Sequence, residues 1–140
     1  MRHRRHEPSQ GLHFQGVTRQ ELATIDRNVT EVRLGPGQEL TQEGAYGREV
    51  FLIVDGTAEV RVGERPIATL RAGDVAGELA VLGGLRRTAT VVTTSDVVAL
   101  VSNPREFAAI LADAPRLGER IRRSAAAKLV ARRQADADNG

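Results

Sequence analysis

The chain has no cysteine, which excludes a disulfide framework, a thiol nucleophile and a cysteine-held metal. It has three histidines, His3, His6 and His13, all at the extreme N-terminus. An imidazole metal cluster or catalytic histidine is therefore absent from the body of the sequence. Tryptophan is missing, and the aromatics are Phe14, Tyr46, Phe51 and Phe107. No apolar run approaches the roughly 18 residues needed to cross a bilayer. The opening MRHRRHEPSQG lacks the apolar stretch of a signal peptide, so a cytoplasmic protein away from membranes is expected. No Ser–His–Asp set, carboxylate pair or P-loop occurs, so no catalytic residue, no metal site and no enzyme is expected.

What is present is arginine. The formal net charge is only +2, and Lys128 is the sole lysine. Arg2, Arg4 and Arg5 crowd the start, and the stretch 116–133 holds seven basic residues against Glu119. Arginine's planar fork suits carboxylates and phosphates. The simplest account of the C-terminal run is a solvated helix face. Interleaved aromatics are lacking, as is a reading-helix unit.

At 140 residues the chain suits one domain with a core of its own. Residues 1–11 are polar, with Pro8 and Gly11, and read as a flexible basic arm. From Thr18 to about Asn28 the text fits a helix, with Thr18 and Glu21 spaced for a capping box. From about 29 to 102 short runs rich in valine, isoleucine and threonine alternate with glycine turns, which predicts a β body. Asp55-Gly56 between two such runs predicts a hairpin. Asn103 and Pro104 open a helix, and Pro115 breaks it and opens another. The C-terminal helices are expected over about 104–133, with 134–140 as a frayed tail. The domain proper is thus placed at 12–133, with no second domain and no internal repeat.

The chemistry concentrates in residues 72–92, AGDVAGELAVLGGLRRTATVV. Gly73 and Gly77 bracket a tight exit from a strand. GELAVL can form one helical turn, followed by a glycine bend and a strand from Thr88. A helical start after glycine exposes unpaired amides and the positive end of a local dipole, which suits an anion. Arg87 lies across the bend, within reach of the same place, and a guanidinium binds phosphate oxygens in pairs. Glu78 would repel a phosphate. It is accounted for if the ligand also carries hydroxyls, because a carboxylate accepts hydrogen bonds from a ribose 2′-OH. The bland reading of Glu78 and Arg87 is a simple ion pair over the bend. For Asp74, turn capping accounts for the residue better than a metal or a base.

At these residues the sequence resembles the cyclic-nucleotide-binding domain family. Ala76 to Val91 reads A-G-E-L-A-V-L-G-G-L-R-R-T-A-T-V, where that family's phosphate-binding cassette runs F-G-E-[LI]-A-L, a short loop, then P-R-[AT]-A-T-V. Glu43-Gly44, Asp55-Gly56-Thr57, Leu70 to Asp74 and the Phe107…Leu111…Pro115 text extend the resemblance outward. It implies a mainly β fold, an eight-stranded β-roll of jelly-roll type, with an N-terminal helix and two C-terminal helices. It also implies a cyclic nucleotide, cAMP or cGMP, as ligand and no cofactor. Glu78 would hold the ribose 2′-OH and Arg87 the cyclic phosphate. The amides of Gly77, Glu78, Leu79 and Ala80 would line the anion pocket, with Thr88 and Ala89 beside them. A lid from the last helix would bring Lys128, Leu129 or Ala125 over the base. Two positions depart from the pattern: Ala76 replaces the usual aromatic, and Arg86 the usual proline.

Three functions follow as expectations. The first is a sensor that binds a cyclic nucleotide and shifts its C-terminal helices toward a partner protein or another copy of itself. The second is an interaction module whose nucleotide site has degenerated. The third is a nucleic-acid accessory acting through the arginine-rich helix. Direct DNA reading is not expected, because a helix-turn-helix would need several dozen more residues.

Overall fold

The computed structural model describes residues 2–5, 18–83 and 86–123, with the isolated positions 133 and 137, and side chains over 18–80 and 86–123. The expected lid residues Ala125, Lys128 and Leu129 lie outside the described residues, as does the expected tail 134–140 apart from position 137. The elements run β1 (Arg2–Arg5), α1 (Arg19–Arg27), β2 (Thr30–Leu34), β3 (Glu39–Thr41), β4 (Val50–Asp55), β5 (Ala58–Val62), β6 (Arg65–Leu70), β7 (Val75–Ala76), α2 (Glu78–Gly83), β8 (Thr90–Thr93), β9 (Val97–Ser102) and α3 (Pro104–Asp113). A further helix covers 115–123.

The strands form two antiparallel sheets, ordered β1-β2-β9-β4-β7 and β3-β8-β5-β6. Strands β2 to β9 make the expected eight-stranded roll. Sheet one is covered twice. Its inner face meets the second sheet through Val32, Phe51, Ile53, Val97, Ala99 and Val101, packed with Leu40, Ala58, Val60, Leu70 and Val91. Its outer face carries Val50, Leu52, Val75 and Leu100 against Ile25 of α1, Phe107 and Ile110 of α3, and Leu117 and Ile121 of the 115–123 helix. This is why β4 reads VFLIVD, apolar without alternation: both of its faces are buried. Phe107, 2% exposed, anchors the helical side, and burying such a ring contributes roughly 2–3 kcal/mol.

The helix starts follow their caps. Thr18 accepts from the Glu21 amide and Glu21 answers with its side chain, a complete capping box. Asn103 and Glu106 repeat the device ahead of α3, with Pro104 in the first turn.

Two expectations are corrected. Asp55-Gly56 does not close a hairpin. β4 pairs with β7 and β9, β5 pairs with β6 and β8, and the Asp55-Gly56 turn carries the chain from one sheet to the other. The tight hairpin is one step later, at Gly63-Glu64, where Val62 faces Arg65. The second concerns residues 2–5, read from sequence as part of a flexible arm. They lie along β2 as β1, Arg2 opposite Arg33 and Arg5 opposite Thr30. A free β2 edge offers a row of unpaired backbone groups, and pairing them outweighs the polar character of the segment.

Candidate functional site

The cassette is built by two limbs that meet at one pocket. The first limb is β7, Gly77 and α2. Gly77 has φ +90°, a conformation that favours glycine, and it turns the chain from β7 directly into α2. The second limb runs from Arg86 to Thr90 and is pinned to the loop after β3. The Arg87 amide donates to Ala45 O at 2.9 Å, and the Gly44 amide donates to Arg87 O at 2.9 Å. Thr41 Oγ1 donates to Ala89 O at 2.9 Å, and the Glu43 amide donates to Thr90 Oγ1 at 3.0 Å. These four bonds fix the backbone on both sides of Arg87. The strand expected from Thr88 begins at Thr90.

Between the limbs is an open pocket whose enclosed volume is about 30 Å³. Ala76 to Ala80 form one wall and Arg87 to Ala89 another, with Thr41, Val60 and Val91 of the second sheet behind them. All seven residues singled out from the sequence, Gly77, Glu78, Leu79, Ala80, Arg87, Thr88 and Ala89, line this one pocket. The structure brings in residues that sequence reasoning missed, the β3, β5 and β8 positions among them.

Arg87 is buried, 7% exposed. Its Nη1 donates to Gly77 O at 3.1 Å and its Nη2 to Glu49 O at 2.9 Å. Two glycines make room for it. A Cβ at Gly47 would fall on Nε, and one at Gly77 would lie 2.6 Å from Nη1 and 2.6 Å from Glu49 O. Burial pushes the guanidinium below its ordinary pKa, while the Glu49 and Glu78 carboxylates push it back up. It stays cationic at neutral pH, as arginine does. A guanidinium has five N–H donors, and the two bonds to carbonyls leave further donors for an anion. Glu78 is 1% exposed, at the start of α2. A buried cation and a buried carboxylate thus share one pocket whose floor is largely apolar.

The two departures from the cassette pattern have local explanations. Ala76 stands directly across from Phe51 on β4, and both belong to the same core cluster. The aromatic volume next to the cassette is thus supplied from the neighbouring strand. Arg86 is exposed and places its guanidinium carbon 4.5 Å from the ring centre of Tyr46, a cation–π contact on the surface beside the pocket. Gly47, Glu49 and Tyr46 could be flagged from sequence only as part of the turn-rich text 43–47 and its flank. Glu49 acts through a carbonyl and Gly47 through a missing side chain, so neither residue type announces its role.

Among the described residues no group of three or more histidines, cysteines, aspartates or glutamates is placed to hold a metal, and no helix is long and apolar enough to cross a membrane. Comparison with known proteins matches the family model "Cyclic nucleotide-binding domain" over residues 31–114, more than half of the chain. The cAMP-dependent protein kinase regulatory subunit of Hypocrea atroviridis is 30% identical over 106 residues, 76% of this chain and 23% of that protein. The cGMP-dependent protein kinase of Toxoplasma gondii is 33% identical over 94 residues, 67% of this chain and 9% of that protein. The chain therefore spans less than a quarter of the length of either relative. Among solved structures, PKAR CBD2 bound to Sp-2Cl-cAMPS superposes with a TM-score of 0.76 at 20% identity, covering 87% of this chain and 82% of that one. That likeness is one of fold. With the family model matched across β2 to α3 and the cassette pocket in place, the chain belongs to the cyclic nucleotide-binding domain family.

Proposed function

We propose that this chain is a non-catalytic cytoplasmic sensor that binds cAMP in the cassette pocket and answers by repositioning its C-terminal helices toward a protein partner or a second copy of itself. The observation that carries the reading is Arg87. It is a buried cation seated on two carbonyls with donors to spare, in a pocket that also holds the Glu78 carboxylate. A cyclic phosphate supplies the anion to which Arg87 and the α2 amides donate. The ribose 2′-OH supplies a donor for Glu78. Leu79, Ala80, Thr88 and Ala89 complete the contact surface, and lid contacts fall to Lys128, Leu129 or Ala125. The relatives are named as dependent on cAMP or on cGMP, and Thr88 in the pocket wall keeps cGMP as the alternative.

A route from pocket to helices supports the regulatory half of the proposal. β7 is two residues long and faces both ways. Ala76 lines the nucleotide pocket, and Val75 belongs to the cluster that holds Phe107, Leu117 and Ile121. A shift of Gly77 and α2 on filling the pocket is thereby felt under the helices. A ligand with different affinity for the two arrangements shifts their populations.

Calorimetric titration of the chain with cAMP and with cGMP tests this, repeated for Arg87→Ala and Glu78→Ala. Saturable heat in the wild type, with affinity lowered at least tenfold in each variant, is expected. Absence of heat with both nucleotides at millimolar concentration would sink the sensor reading and favour a ligand-independent interaction module. Salt-dependent nucleic-acid binding that survives Arg87→Ala would favour an accessory acting through the arginine-rich helix instead.

A further inference from the structure

The helix over 115–123 begins without a capping side chain of its own. Ala114 precedes it and Pro115 opens it, and alanine is among the poorest N-caps. The amides of its first turn still require acceptors. Pro115 has no amide N–H to satisfy, and the Gly118 amide is satisfied by Ala114 O. The Arg116 amide is satisfied from another element altogether: it donates to Glu21 Oε2 at 2.9 Å, across 95 positions of sequence. The same carboxylate accepts from the Thr18 amide through Oε1 at 3.3 Å, while the Glu21 amide donates to Thr18 Oγ1 at 3.1 Å. One side chain, 5% exposed, caps the N-termini of two helices at once. Burial pushes its carboxyl up. The amides of Arg116, Thr18 and Leu117 and the Thr18 hydroxyl outweigh that and hold it below the ordinary carboxylate value. One turn further along α1, Ile25 sits in the same apolar cluster as Leu117 and Ile121. Ionic and apolar contacts therefore coincide along one seam.

We infer that Glu21 is a positioning residue that couples α1 to the C-terminal helix, so that the two respond to the nucleotide site as one body. This rests on the proposed function, in which the C-terminal helices carry the response. Glu21 does not line the pocket, so its effect on the site is transmitted and not direct. Without it, α1 loses its bond to the start of the moving helix, and the response of α1 falls away from that of the helix.

Hydrogen exchange of the full chain, measured with and without saturating cAMP, tests this for wild type, Glu21→Gln and Glu21→Ala. In the wild type, amides in 19–28 and in 116–123 should change protection together on adding cAMP. In Glu21→Ala, 116–123 should exchange at least tenfold faster without nucleotide, and the cAMP response of 19–28 should drop below a third of its wild-type size. Glu21→Gln keeps an acceptor suited to the capping box, so it folds even where alanine does not. It should show the same split at smaller amplitude, with cAMP affinity within about threefold of wild type. Concerted response of both segments in Glu21→Gln, equal to the wild type, overturns the inference. So does a wild type that takes up cAMP in titration and changes in neither segment. A wild type that takes up no cAMP overturns the proposed function instead. The seam is then judged by ligand-free exchange alone, where an unchanged 116–123 in Glu21→Gln overturns it.

Discussion

The molecule buries the Arg87 cation at its pocket and the Glu21 carboxylate at its helical seam, and the two are satisfied in opposite ways. Arg87 donates to carbonyls, Gly77 O and Glu49 O, beside an open pocket. Glu21 accepts amides, Thr18 N and Arg116 N, inside a closed helix junction. Both obey the rule that a buried charge must be met by polar partners. The difference is in what remains. Arg87 keeps donors and faces space that a ligand can fill, whereas the carboxylate of Glu21 serves two helix starts. A buried charge with unused capacity beside a pocket is a binding group. One whose partners are helix ends belongs to the architecture.

The contrast breaks if truncating Arg87 costs stability in place of affinity. Arg87→Ala is expected to weaken cAMP binding by about a hundredfold, roughly 2.8 kcal/mol at tenfold per 1.4 kcal/mol. The two carbonyls it leaves belong to Gly77 and Glu49, neither of which is a buried residue, so the melting temperature of the free chain should fall by only a few degrees. Calorimetry for affinity and a thermal melt for stability, on the same preparation, check both halves. A large loss of stability with unchanged affinity would make Arg87 a structural ion like Glu21.

The two glycines around Arg87 sharpen the same distinction. The three atoms nearest a Cβ at Gly47 would all belong to the flexible end of Arg87, its Nε, Nη2 and Cζ. Gly47→Ala should therefore displace the guanidinium at little cost to the fold, within about 1 kcal/mol, and lower cAMP affinity at least tenfold. Gly77→Ala is different. Its φ of +90° and the close Glu49 carbonyl strain the backbone itself, so it should cost about 1–3 kcal/mol of stability as well as affinity. Urea unfolding with a parallel titration separates the two. Equal stability losses would mean that the Gly47 loop, and not the arginine, yields to the added methyl.

The pocket's side chains were far more legible in the sequence than its frame. Gly77, Glu78 and Arg87 are recognisable because each brings a residue type whose chemistry is unusual at that spacing. The Thr18–Glu21 box and the Asn103–Pro104 start were legible because caps act within a few residues. The role of Glu21 toward Arg116 was not, because its partner lies 95 positions away and is a backbone amide. Glu49 and Gly47 escaped for the same kind of reason, one acting through a carbonyl and one through an absent Cβ. Asp55-Gly56 has the letters of a hairpin, yet strand partners are chosen by the packing of two sheets, and the turn bridges them. Local chemistry survives in a single sequence, and pairings between distant segments do not.

Acid should reach the helical seam before it reaches the pocket cation. Glu21's folded-state pKa lies below its ordinary 4.5. Its contribution to stability is therefore complete above about that value, and it is lost as pH falls toward the lower folded-state pKa. Melting curves taken from pH 7 down to pH 3 should show a loss below about pH 4.5 that is smaller in Glu21→Gln, which has no proton to bind there. A parallel decline in wild type and variant would assign the acid sensitivity to other carboxylates.

The smallest expected effect lies just outside the pocket. Tyr46 is 80% exposed and stacks under Arg86, and an exposed cation–π contact of this kind is worth about 0.5–1 kcal/mol. Arg86 adjoins Arg87 in sequence, and the loop that carries Tyr46 is bonded to Arg87 through Gly44 and Ala45. The stack is therefore wired to the site without lining it. Tyr46→Ser should lower stability by less than about 1 kcal/mol and change cAMP affinity by less than about threefold, because the four hydrogen bonds that hold the segment 87–90 remain. An affinity loss of tenfold or more would show that the surface pair helps to hold Arg87. The binding group would then extend from one buried cation to the arginine pair and its aromatic support, and the separation between pocket ion and architectural ion would have to be redrawn around Tyr46.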